Sequence, residues 1–179
     1  LSIAAAVLYA ALAYGETHNV TNVAPFGIVS LQLAGKPLMS QLIIEKWRAL
    51  ADGTFWVSFG LYTDYAFMTV YSILLALFAL RLGRKLATRD AANMRIAVFV
   101  AWLASATLPL DAVENFAHLM MLASPMTEGA LMAATEKWTD IAFTCALAKF
   151  ACLGAFTMFA AVSGVMLLAT KPTRATDVA

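Results

Sequence analysis

Residues 62–82 read YTDYAFMTVYSILLALFALRL, and this run decides the fold class. It is long enough to cross a hydrocarbon core, which takes about 20 mostly apolar residues in a helix. Its two charged groups, Asp64 and Arg81, stand near its ends. Working outward, three more apolar stretches appear: Leu1 to about Tyr14, Met94 to Leu122 and Trp138 to Thr170. The second and third of these exceed the bilayer thickness, so they are expected to tilt, protrude or bend. Pro109 is the expected bend in 94–122, because it removes a backbone donor and crowds the turn before it.

Composition agrees. Of 179 residues, 62% are hydrophobic and 13% charged, against about 45–50% and about 25% in soluble domains. Folding in water cannot hide that much apolar surface, whereas a bilayer acts as its solvent. The expected fold is all-α: a four-helix transmembrane bundle forming a single domain over 1–179, with spans at about 1–14, 62–82, 94–122 and 138–170. The chain starts with Leu1 inside an apolar run, and residues preceding it are expected. The net charge of +1 gives no reason to expect nucleic acid.

The charge distribution sets an orientation. RLGRKLATRDAANMR, residues 81–95, holds Arg81, Arg84, Lys85, Arg89 and Arg95 against Asp90, and Lys171 and Arg174 follow the last apolar stretch. The loop before that stretch carries Lys137 with Glu128 and Glu136. By the positive-inside rule both termini are expected in the cytoplasm, in a multi-pass inner (plasma) membrane protein. Residues 15–61 then lie outside. Within them Phe26–Ala34 is apolar and is expected to dip into the interface. Pro37–Ala51 is an amphipathic helix candidate with Leu38, Leu42, Trp47 and Leu50 near one side, lying across the outer mouth. Phe55, Trp56, Phe59, Tyr62 and Tyr65 read as an interfacial aromatic belt.

Charged groups within spans cost about 2.5–3.5 kcal/mol each on insertion scales, so their placement is informative. Asp111, Glu114, Asn115 and His118 recur at i, i+3, i+4 and i+7 and share one helical face. Asp64 begins the second span and Lys149 lies within the fourth. Rising about 1.5 Å per residue, antiparallel helices bring all of these to the outer half of the bilayer. One buried polar cluster follows, with Lys149 as counter-ion to Asp111 or Glu114. Three carboxylates against one lysine do not balance, so a retained proton, water or a cation must complete the set. Paired carboxylates suit acid–base chemistry. The plainer alternative is a polar network that fixes helix register.

Other features point to less. Glu114 and His118 are spaced to share a metal, but a site needs three or four ligands, and His18 and His118 are the only histidines; no metal is expected and no cofactor is named. Cys145 and Cys152 share a face about 10 Å apart along a helix, too far for a disulfide, and read as small apolar residues. Asn19-Val20-Thr21 matches a glycosylation sequon, a weak signal. Gln32 reads as a helix-end cap, and Gly154 and Gly164 as points of close helix packing.

The segments LQLAGKPLMSQLIIEKW, LYTDYAFMTVYSILLAL, PLDAVENFAHLMML and CALAKFACLGA together resemble a group of small bacterial integral membrane proteins with four predicted spans and no assigned activity. That group has a FELAG-like segment, an LDxLF-type start to span two, LDxxEN in span three and LxKF in span four. The matching positions are Gln32, Asp64, Asp111, Glu114, Asn115 and Lys149, with Gln32 standing where the group has glutamate. The resemblance implies a shared polar cluster and no known reaction.

Two functional expectations follow. Small size and the lack of a catalytic motif suggest an accessory or assembly subunit of a larger membrane complex, with other membrane subunits as partners. The alternative is a membrane enzyme or carrier for a lipid-like or apolar small molecule, with the polar cluster supplying recognition or acid–base groups. A cavity beside the cluster, open toward lipid, would favour the second.

Overall fold

The computed structural model describes residues 1–88, 90–125 and 127–169. Arg89 of the basic loop, and Thr170, Lys171 and Arg174 beyond the last helix, lie outside the described residues, as does the Glu128 side chain. Six helices follow in order: α1 Ser2–Glu16, α2 Ile28–Gln32, α3 Pro37–Arg48, α4 Gly53–Ala87, α5 Ala92–Leu122 and α6 Glu128–Leu168. Among the described residues there is no strand.

Three of these helices, α4, α5 and α6, are long and apolar enough to cross a membrane, the pattern of a multi-pass membrane protein. With 35, 31 and 41 residues, all three outrun the apolar stretches that predict them. α4 begins at Gly53, so Phe55–Tyr62 continue a helix rather than forming a loop. α5 runs unbroken through Pro109.

α5 packs against both α4 and α6, and α1 lies on α4. The close approach of α4 and α5 depends on small side chains. A Cβ built on Gly83 would fall 2.2 Å from the Ala97 Cβ, and Ala79, Ala101 and Ala104 are buried nearby in sequence on the same two helices. Small interfacial residues let membrane helices approach and gain dispersion contact. Gly154 and Gly164, expected to serve this purpose on α6, face open space within 4 Å. They do not mediate packing; a glycine tightens an interface only when a partner helix stands opposite it.

The polarity of α5 is inside out. Asp111, Glu114, Asn115 and His118 are buried, whereas Phe99, Trp102, Val113 and Phe116 are exposed. Such a distribution suits an apolar surrounding solvent, because buried polar groups then meet one another.

α2 and α3 fold over one end of the bundle, α3 resting on α6 and α4. α3 starts at Pro37, whose fixed φ and missing N–H suit a first helical position. Its inward side is Ser40, Ile43, Ile44 and Trp47; Leu38, Leu42 and Leu50 are exposed, so Trp47 does not share a side with them as expected. Ser40 accepts a hydrogen bond from Thr139 Oγ1 at 3.0 Å. Arg48 closes the other side: its guanidinium donates to the carbonyl oxygens of Leu122 and Ser124, each at 2.8 Å, satisfying carbonyls that the end of α5 leaves without partners. Partial burial lowers the Arg48 pKa from its ordinary value, and the guanidinium remains charged in any accessible pH range.

The loop between α1 and α2 is tied by side chains rather than by regular structure. Glu16 Oε1 accepts the backbone N–H of Ile28, Glu16 Oε2 accepts Asn19 Nδ2 at 3.2 Å, and Trp47 Nε1 donates to the Asn19 carbonyl at 2.7 Å. Gly27 has φ +52°, and a Cβ there would fall 1.8 Å from Glu16 Oε1. Only glycine permits both that conformation and that approach. Asn19, the sequon residue, is buried in this knot.

Candidate functional site

The face predicted on α5 meets groups from α4 and α6. Lys149, on α6, places Nζ 2.7 Å from Asp111 Oδ1 and 2.9 Å from Glu114 Oε2. The expected counter-ion thus serves both acids rather than one. The second Asp111 oxygen accepts the Tyr71 hydroxyl at 2.8 Å. On α4, Asp64 Oδ2 accepts Asn115 Nδ2 at 2.7 Å. Tyr65 anchors the same interface by donating to the Ala112 carbonyl at 3.1 Å.

His118 stands apart. Its Nε2 is 3.8 Å from Glu114 Oε1, beyond hydrogen-bond reach, and neither ring nitrogen has a hydrogen-bond partner. The other histidine, His18, stacks on Trp56 with ring centroids 4.2 Å apart. Among the described residues, no group of three or more His, Cys, Asp or Glu is placed to hold a metal ion. Cys145 and Cys152 are free thiols, each half-buried.

A cavity of about 540 Å³ opens beside the cluster, a size within the ~300–1,000 Å³ of small-molecule sites. Asp64, Asp111, Asn115 and Lys149 reach its wall, while Glu114 and His118 do not. The cluster therefore divides into a cavity-facing set and a fully buried pair behind it. Most of the remaining wall is apolar: Tyr9 and Leu12 from α1, Leu61 and Phe67 from α4, Phe150 and Leu153 from α6. α1 and α6 both line the cavity and make no extended contact with each other. Gly60 lines the wall and a Cβ on it would meet nothing within 4 Å.

Glu16 and Asn19 also line the wall and add to the expected set, together with Gln32, a position the resemblance singles out. Gln32 is buried at the end of α2 and faces the cavity. Glu16 has its pKa raised from the ordinary carboxylate value, first by burial and then opposed by hydrogen bonds from Asn19 and Ile28. Tyr71, which the sequence reading did not single out, lies seven residues after Asp64 and so on the same face of α4, a spacing that could have found it. Glu16 and Asn19 had no such signal.

Chemically, the site offers carboxylates, an ammonium and amides at a wall of otherwise apolar side chains. That combination can hold an amphiphile, with its tail along the greasy wall and its polar end at Asp64 and Asp111. The chain matches no protein-family model, no curated protein and no solved structure.

Proposed function

We propose that the chain is a four-span inner-membrane protein that binds a lipid-like or apolar small molecule, entering sideways from the bilayer into the cavity between α1 and α6. The observation that carries this reading is the cavity: it joins an apolar wall to Asp64, Asp111, Asn115 and Lys149, and two of the helices that line it, α1 and α6, make no extended contact with each other. The buried carboxylates at its wall are suited to recognising, or exchanging protons with, the polar end of the bound molecule.

In this reading residues 1–14, apolar and packed through α1 on α4, are the fourth span, and Glu16 stands beyond its outer end. The basic residues Arg81, Arg84, Lys85 and Arg95 put the α4–α5 turn and both termini in the cytoplasm. α3 then lies at the outer interface beside the exposed rings of Phe55, Phe59 and Tyr62 and covers the outer mouth.

The test uses a photoreactive twelve-carbon alkyl diazirine with the full chain in lipid nanodiscs. Labelling at Phe67 and Leu153 is expected, and Gly60→Phe, whose Cβ meets nothing within 4 Å at the cavity wall, is expected to abolish it. Equal labelling in Gly60→Phe, or labelling confined to outward residues such as Phe99 and Val162, contradicts the reading.

A second reading, an accessory or assembly subunit, has its own support. An apolar groove of about 370 Å³ runs along the outside of α4 and α5 between Ala76, Leu80, Ala101 and Trp102, and Trp102 is 72% exposed. A partner helix seated there would co-migrate on native-size analysis after gentle extraction, and Ala101→Leu would release it. A monomer with no partner in native membranes contradicts this second reading.

A further inference from the structure

The cavity wall holds more hydrogen-bond acceptors than donors. Lys149 directs its ammonium to Asp111 and Glu114, and the Tyr71 hydroxyl is spent on Asp111. Asn115 spends its amide N–H on Asp64 Oδ2. That bond also fixes the amide's orientation, since a carboxylate accepts, and it leaves Asn115 Oδ1 buried without a partner. The other Asp64 oxygen, Oδ1, has no hydrogen bond among the described residues. Asn19, 1% exposed and lining the cavity, likewise keeps an Oδ1 with no partner. A buried acceptor without a donor costs about 1–3 kcal/mol, so these positions favour a ligand that brings N–H groups.

Charge points the same way. Glu16, Asp64 and Asp111 face the cavity and Glu114 stands behind it, against Lys149 alone. An anionic ligand would add to the surplus in a low-dielectric setting, where like charges repel strongly. A cation would reduce it.

We propose that the polar end of the bound amphiphile is an ammonium group, with the Asp64 carboxylate as its counter-ion and the Asn115 amide oxygen as a neighbouring acceptor. This rests on the cavity reading above and narrows it to amines. An ammonium supplies three donors and one positive charge, the two quantities in which the wall is short. The tail runs along Phe67 and Leu153 toward the gap between α1 and α6. The same chemistry is carried by a simple alkylamine and by an ethanolamine phospholipid.

The experiment is competition against diazirine labelling of Phe67 in nanodiscs at pH 7, using dodecylamine, dodecanol, dodecanoate and a lysophosphatidylethanolamine. Dodecylamine is expected to compete at least tenfold better than dodecanol. Asp64→Asn is expected to bring competition by dodecylamine down to the level of dodecanol, and a cooperative unfolding transition in detergent shows that the variant is folded. Tighter competition by the lysophospholipid than by dodecylamine assigns the amine to a phospholipid, and the reverse assigns it to a free amine; both support the proposal. Equal competition by amine and alcohol, an amine preference that survives Asp64→Asn, or dodecanoate as the best competitor overturns it and leaves the cavity reading standing. Failure of all four to compete overturns both.

Discussion

Lys149 Nζ sits 2.7 Å from Asp111 Oδ1, joining α6 to α5 where both side chains are almost fully buried. The same ammonium reaches Glu114, so one cation holds two acids. Removing it leaves both without a counter-charge. Breaking a buried pair from one side costs about 3–5 kcal/mol. Lys149→Met is therefore expected to lower the unfolding midpoint sharply in detergent. Adding Asp111→Asn and Glu114→Gln to that variant is expected to recover most of the loss. A Lys149→Met midpoint equal to that of the parent chain contradicts the pairing.

Gly27 and Glu16 give a second test. Gly27→Ala puts a methyl group where the Glu16 carboxylate lies and demands φ +52° of an L side chain. A non-glycine residue held in that region costs on the order of 1–3 kcal/mol. The knot between α1, α2 and α3 should open locally, so the Ile28 amide should exchange with deuterium faster while amides in the middle of α5 keep their protection. Unchanged exchange at Ile28 contradicts the assignment.

The pH dependence of Glu16 has a defined sign. Its folded pKa is raised above the ordinary 4.5 by burial. Between those two values the folded state binds more protons than the unfolded one, so stability falls as pH rises through the window just above 4.5. Glu16→Gln removes this dependence. The difference in unfolding midpoint, variant minus parent, is expected to fall as the pH is lowered toward 4.5. A difference that is flat or rises on acidification contradicts the stated direction.

The α4–α5 contact predicts unequal tolerance among glycines. Gly83→Val collides with Ala97 and is expected to destabilise by about 1–3 kcal/mol, the usual range for overpacking. Gly154→Leu and Gly164→Leu point into open space and are expected to leave the unfolding midpoint close to that of the parent. Equal effects at all three positions contradict the packing described.

The polar cluster was legible because charge inside an apolar helix is rare and its period is easily counted. Asp111, Glu114, Asn115 and His118 share one face, and Lys149 sits at a matching depth on a neighbouring antiparallel helix. The inward side of α3 was not legible. Leu38, Leu42 and Leu50 are as apolar as Ile43 and Ile44, and beside lipid the more apolar side of a helix need not be the inner one. Glycines misled for a related reason: Gly83 matters because Ala97 stands opposite, which its own sequence neighbours do not reveal. Glu16 and Asn19 joined the site through an irregular loop, where no periodicity relates residue number to direction. Tyr71 shares a helical face with Asp64, but a tyrosine in the middle of an apolar run also reads as an ordinary packing residue.

The most direct test of the lateral cavity is a structure of the full chain crystallised in a lipid mesophase. The account predicts elongated density running from Asp64 past Phe67 and out between Leu12 and Leu153. A structure in which α1 has closed onto α6, with Asp64 and Lys149 packed against protein and no space between them and the bilayer, would contradict it.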